Sequence, residues 1–126
     1  MCFADANVVL RYILNDHHEL SQKAAEILEH NDVILSTEVV CEIVYVLQKV
    51  YHVPREQILE KLCDLADEEL ISVEKPDVLK QALMIYSVKN IDIVDAFLCA
   101  YHTEEHREIF TFDDKLNKCL RSADKA

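Results

Sequence analysis

From Glu19 to His30 the apolar residues stand at Leu20, Ala24, Ile27 and Leu28, the three-and-four spacing of one helix face. Helices are also expected over Asn7–Leu14, from a Ser36 or Thr37 cap to about Tyr51, and from Pro54 to near Asp67. Two more run from Pro76 to about Val88 and from an Asp92 cap to about His102, and a last helical segment covers Lys115–Leu120. Between them lie short apolar runs at Met1–Ala4, Val33–Leu35, Leu70–Val73 and Ile109–Phe112, which read as strands. Strand and helix alternate, so the expected class is α/β, with a parallel sheet covered by helices. In such sheets ligands gather at the carboxyl ends of strands, where Asp5 and Asp113 both fall.

A chain of 126 residues with 51% hydrophobic and 29% charged positions fits one domain, 1–126, with a core that needs no disulfide frame or structural metal. Its five cysteines are scattered, odd in number and without a C-x-x-C pair, which reads as small core hydrophobes in a reducing cytoplasm. No apolar run is long enough to span a bilayer, so no membrane role is expected. The formal net charge of -11 excludes a general electrostatic grip on nucleic acid and leaves room only for a local one. Glycine is absent, so turns that need positive φ must use other residues, with Asn15, Asn31, His52 and Asn90 as candidates.

Three acids stand alone in apolar sequence: Asp5 in "MCFADANVVL", Glu42 in "VVCEIVYVL" and Asp95 in "IVDAFLCAY". Each has an ordinary structural reading. Asp95 can favour the positive end of its helix, Asp113 can cap the next one, and Glu42 can be half of an ion pair. If Asp5, Glu42, Asp95 and Asp113 converge, their repulsion calls for a cation, and an oxygen-only donor set suits Mg²⁺ or Mn²⁺. The chemistry this implies is phosphodiester hydrolysis.

"FADANVVLRYILND", "EVVCEIVYVLQKVYHVPRE", "NIDIVDAFLCAY" and "IFTFDDKL" follow one another at spacings that resemble a PIN-domain ribonuclease of the VapC-type toxin group. The resemblance covers nearly the whole chain and implies a three-layer fold with a central parallel sheet of about four or five short strands. It makes Asp5, Glu42, Asp95 and Asp113 the catalytic acids, with Asp5, Asp95 and Asp113 as metal ligands. Asp92, Asn7 and Thr111 match accessory positions that would orient those carboxylates. Arg11, Lys89, Lys115 and Lys118 lie near the matched acids in sequence and could meet RNA phosphates. The resemblance further implies an RNA substrate, a small antitoxin protein as partner and a homodimer. After Asp113 the chain ends in "NKCLRSADKA", without the apolar run that would make a fifth strand.

Other readings are weaker. "HTEEH" at 102–106 matches the H-x-x-E-H zinc-peptidase pattern, but its surroundings are polar and solvated histidines explain it more simply. A strand-end aspartate phosphatase would need a second acid two positions after Asp5, where Asn7 stands. A PIN nuclease for RNA processing without an antitoxin, and a non-catalytic interaction module of the same fold, are the remaining alternatives.

Overall fold

The computed structural model describes residues 1–125, which fall into two compact units, Met1–Glu74 and from Lys75 onward. The first unit runs β1 (Cys2–Phe3), α1 (Ala6–Leu14), α2 (His18–His30), β2 (Val33–Ile34), α3 (Thr37–Lys49) and α4 (Arg55–Asp67). β1 and β2 pair in parallel, Cys2 opposite Val33 and Phe3 opposite Ile34. Ser72 extends this small sheet by a single parallel bridge to Ile34, held by Leu35 N–H to the Ser72 carbonyl and Ser72 N–H to the Val33 carbonyl, both 2.9 Å. Helix α1 packs on α2 and α3, and α3 packs on α4. The buried residues of this unit include Val9, Leu28, Leu35, Ile43, Leu47 and Ile58. Removing any one of these larger side chains would cost about 2–5 kcal/mol through lost transfer energy and the cavity left behind.

The second unit is α5 (Pro76–Val88), α6 (Ile93–Glu105) and α7 (Asp114–Asp124), with α6 packed on both neighbours. Pro76 at the first position of α5 loses nothing by lacking an N–H there. Leu83, Tyr86, Ala96, Ala100 and Leu116 are fully buried. Small alanines on α6 let helix backbones approach closely.

Helices sit close to where the sequence places them, with two informative differences. α6 runs one turn past His102 because His106 takes the left-handed conformation (φ 57°) and gives its N–H to the His102 and Tyr101 carbonyls. α7 runs to Asp124, so the stretch without strand character after Asp113 is helix. The sheet is smaller than expected: among the described residues it has two paired strands and one further bridge, and Ile109–Phe112 carries no regular pairing. Of the four residues proposed for positive φ, Asn15 (48°) and His52 (54°) adopt it. Asn31 is extended instead, and Glu69 (61°) and His106 take the other left-handed positions. Cys99 and Cys119 are buried as expected, Cys41 and Cys63 partly so, whereas Cys2 is exposed. Among the described residues, no helix is long and apolar enough to cross a membrane.

Candidate functional site

Helix N-termini position most of the candidate acids. In the first unit Asp5 follows β1 in extended conformation and caps α1, its Oδ1 accepting the Val8 N–H at 3.3 Å. The isolated charge near the start of the chain thus has a hydrogen-bonding task at the positive end of a helix dipole. It is also exposed, as is Asn7 in the first turn of α1. Glu42 stands mid-way along α3 and is exposed too. Helix geometry explains this: Val40, Ile43, Val44 and Leu47 turn inward, while Glu38, Glu42, Tyr45 and Lys49 line the outer face at three- and four-residue spacing.

The second unit brings three acids into electrostatic contact. Asp92 caps α6, its Oδ1 accepting the Asp95 N–H at 2.9 Å. Asp95 leaves the first turn of the same helix half-buried. Its pKa is raised, first by partial burial and then by the negative charges of Asp92 and Asp113. Asp113 stands at the N-terminus of α7 but makes no side-chain capping bond, so its carboxylate is not spent on its own helix. Its backbone is fixed instead: the Asp113 N–H donates to Thr111 Oγ1 at 3.0 Å, and Asn117 Nδ2 donates to the Thr111 carbonyl at 3.1 Å. Asn117 is a supporting residue that sequence reading missed, and only its position four residues into the helix from Asp113 hinted at it.

Within either unit, among the described residues, no group of three or more His, Cys, Asp or Glu side chains is drawn together tightly enough to cage a metal by itself. The Asp92, Asp95 and Asp113 set offers carboxylate oxygens without thiolate or imidazole, a donor chemistry that suits a hard, water-retaining cation such as Mg²⁺.

The candidate cations divide. Arg11 pairs with Asp16 at 3.2 Å near the end of α1. Lys89, Lys115 and Lys118 share the lining of one cleft of about 520 Å³ in the second unit, and Arg121 and Lys125 join them. Those two were missed because the sequence reading ended the last helix at Leu120, although Lys115, Lys118 and Arg121 already repeat every three residues.

The residues of the H-x-x-E-H motif are otherwise engaged. His102 bonds the Arg107 carbonyl and Asp124, Glu105 bonds Lys75 and Arg107, and His106 closes α6.

Comparison with curated proteins and with solved structures finds no significant match. The PIN domain family model, by contrast, matches residues 2–119, nearly the full sequence, and the chain belongs to the PIN domain family.

Proposed function

We propose that this PIN domain is a divalent-cation-dependent endoribonuclease, the toxin component of a toxin–antitoxin pair acting in the cytoplasm. PIN domains are generally nucleases. The observation that carries the reading is the grouping of Asp92, Asp95 and Asp113 at two helix N-termini, where partial burial first and then the neighbouring charges make Asp95 harder to ionise. Carboxylates held near one another repel, and a cation that joins them relieves the cost.

In this reading Asp5, Asp95 and Asp113 hold Mg²⁺ or Mn²⁺, and Glu42 assists directly or through a water. When bound, the ion stabilises charge on the phosphoryl oxygens and lowers the pKa of water. The chain's own residues set the geometry. Asp92 fixes the first turn of α6 and with it the direction in which Asp95 projects. Thr111 and Asn117 fix the turn that presents Asp113. Asn7, two residues beyond Asp5, is placed to orient that carboxylate or a water beside it.

Cleavage of a labelled single-stranded RNA in Mg²⁺, Mn²⁺ or EDTA tests the proposal. Turnover should require the divalent ion and should vanish in Asp95→Asn, while circular dichroism stays unchanged. Equal cleavage in EDTA, or by the variant, would overturn it.

Tyr45, Val50 and Tyr51, on and just beyond α3, are 60%, 59% and 42% exposed, which supports a second copy of the chain or a small antitoxin protein as partner. The same apolar surface is compatible with a non-catalytic interaction module. An inactive wild type that still captures a partner would favour that module, and turnover without any antitoxin in the genome neighbourhood would favour an RNA-processing PIN nuclease.

A further inference from the structure

The protein has 13 lysines and arginines against 24 acids, yet five of those cations line one cleft in the second unit. Lys89 comes from the end of α5, and Lys115, Lys118, Arg121 and Lys125 come from α7 and its C-terminal cap. Among the described residues, no aspartate or glutamate lines it. Two bonds keep its shape and sign. Lys115 Nζ donates to the Asn90 carbonyl at 3.5 Å, tying α7 to the loop after α5. Asp124, which precedes Lys125 in sequence, pairs with His102 at 2.6 Å. The inward residues of α7, Leu116, Cys119 and Leu120, anchor the helix, so its cationic flank is held on a packed element rather than on a mobile tail.

An ordinary solvated helix face would intersperse both signs. Here a strongly acidic molecule concentrates about two fifths of its positive charge around one concavity, a local field of opposite sign to the whole. From Lys115 to Lys125 the helical rise amounts to about 15 Å. That is long enough to run beside more than one phosphate of a single strand. Two of its lining residues are close in sequence to the acid cluster: Ile91 precedes Asp92, and Lys115 lies two residues after Asp113.

We infer that this cleft is a subsite for the phosphate backbone of RNA, flanking the acid cluster, and that it makes RNA length a determinant of affinity. The identity of the polyanion rests on the ribonuclease reading. The cleft takes phosphates by charge without reading bases, and it gives an acidic protein a local grip on nucleic acid that its net charge otherwise denies.

The test is fluorescence anisotropy of labelled 12-nucleotide and 3-nucleotide single-stranded RNAs in EDTA, from 50 to 300 mM salt, beside cleavage assays in Mg²⁺. The exposed pair Lys118→Glu/Arg121→Glu is compared with Lys23→Glu/Lys61→Glu, which changes the net charge equally on exposed positions of the other unit. The cleft variant should bind the 12-mer about tenfold or more weakly than the control variant, with little change for the 3-mer. Its salt slope should fall by about 1.4, as expected for two lost phosphate contacts on a single strand. Equal losses in both variants, or wild-type affinity in the cleft variant, would overturn the subsite. So would polyglutamate competing as well as RNA of equal charge, because the cleft would then be a peptide site. A wild type that cleaves nothing in Mg²⁺ or Mn²⁺ while the cleft-specific loss persists would sink the nuclease reading and leave the subsite standing.

Discussion

His102 and Asp124 form a 2.6 Å ion pair that ties the end of α6 to the end of α7. The other ring nitrogen of His102 bonds the Arg107 carbonyl at 2.8 Å. Only the imidazolium donates from both nitrogens at once, so both bonds favour the charged form and the pKa of His102 is raised, chiefly by the Arg107 carbonyl and then by Asp124. A raised histidine pKa stabilises the fold fully below its unfolded value of about 6.5 and loses that contribution as pH climbs through the folded value. Thermal melting from pH 5.5 to 9 should show a fall of a few degrees at the alkaline side, within the range of under ~1 kcal/mol typical of exposed pairs. His102→Gln should flatten this component of the profile and Asp124→Asn should reduce it. An unchanged profile in both would show that the clamp does not contribute.

Asp95→Asn separates function from folding. The substitution removes a charge that Asp92 and Asp113 oppose, so melting temperature should hold or rise slightly. RNA cleavage in Mg²⁺ should fall by at least ~100-fold, the upper range seen when even outer-shell partners of a metal are lost. A stable variant with wild-type turnover would leave Asp95 a structural residue.

Asp5 and Asp92 each accept a backbone N–H as caps, so alanine and asparagine should give different answers at these positions. Asparagine caps as well as aspartate, whereas alanine costs about 1 kcal/mol. The expected pattern is near-native stability in Asp5→Asn with turnover lost, and a lowered denaturation midpoint in Asp5→Ala. At Asp92 the asparagine variant should keep stability and lose only part of its activity, because its role is to direct Asp95.

Cys99 and Cys119 share a hydrogen bond between α6 and α7, and burial, followed by that bond, pushes the Cys99 thiol up to about 12. Thiolate is the reactive form, and at pH 8 a thiol with that pKa is ionised roughly a thousandfold less than a free cysteine of pKa about 8.5. Alkylation followed by mass spectrometry should label Cys2 within minutes and Cys99 only after denaturant is added. Rapid native labelling of Cys99 would show that this helix contact opens readily.

Helices were the legible part of this molecule, because caps and three-and-four spacing are local properties: Pro76–Val88 and the Asn15 turn follow directly from them. Strands of two residues owe their identity to a pairing partner, which periodicity does not encode. Ile109–Phe112 has every β-forming residue a strand needs, yet Phe110 and Phe112 stand 86% and 106% exposed without a ladder. The acids were legible as isolated charges, but apolar neighbours in sequence are not apolar neighbours in space. Glu42 escapes burial because its helix turns that position outward along with Glu38 and Tyr45. Arg121 and Lys125 lie beyond Leu120, where the apolar spacing of the last helix stops, so nothing local in the sequence ties them to the site.

Four left-handed residues among those described, without a single glycine, give the chain an unusual relation to its own denatured ensemble. Each of Asn15, His52, Glu69 and His106 carries a β-carbon into a conformation that costs about 1–2 kcal/mol, least for asparagine. In exchange, no position of the unfolded chain enjoys glycine's wide backbone freedom, so less conformational entropy is surrendered on folding. The strain is a property of the native state and the economy a property of the coil. A glycine placed at Glu69 would relieve the first while spoiling only part of the second, so the fold should gain slightly. Placed in the middle of a helix, glycine could only spoil, which makes this backbone least forgiving away from the turns where that residue would ordinarily be found.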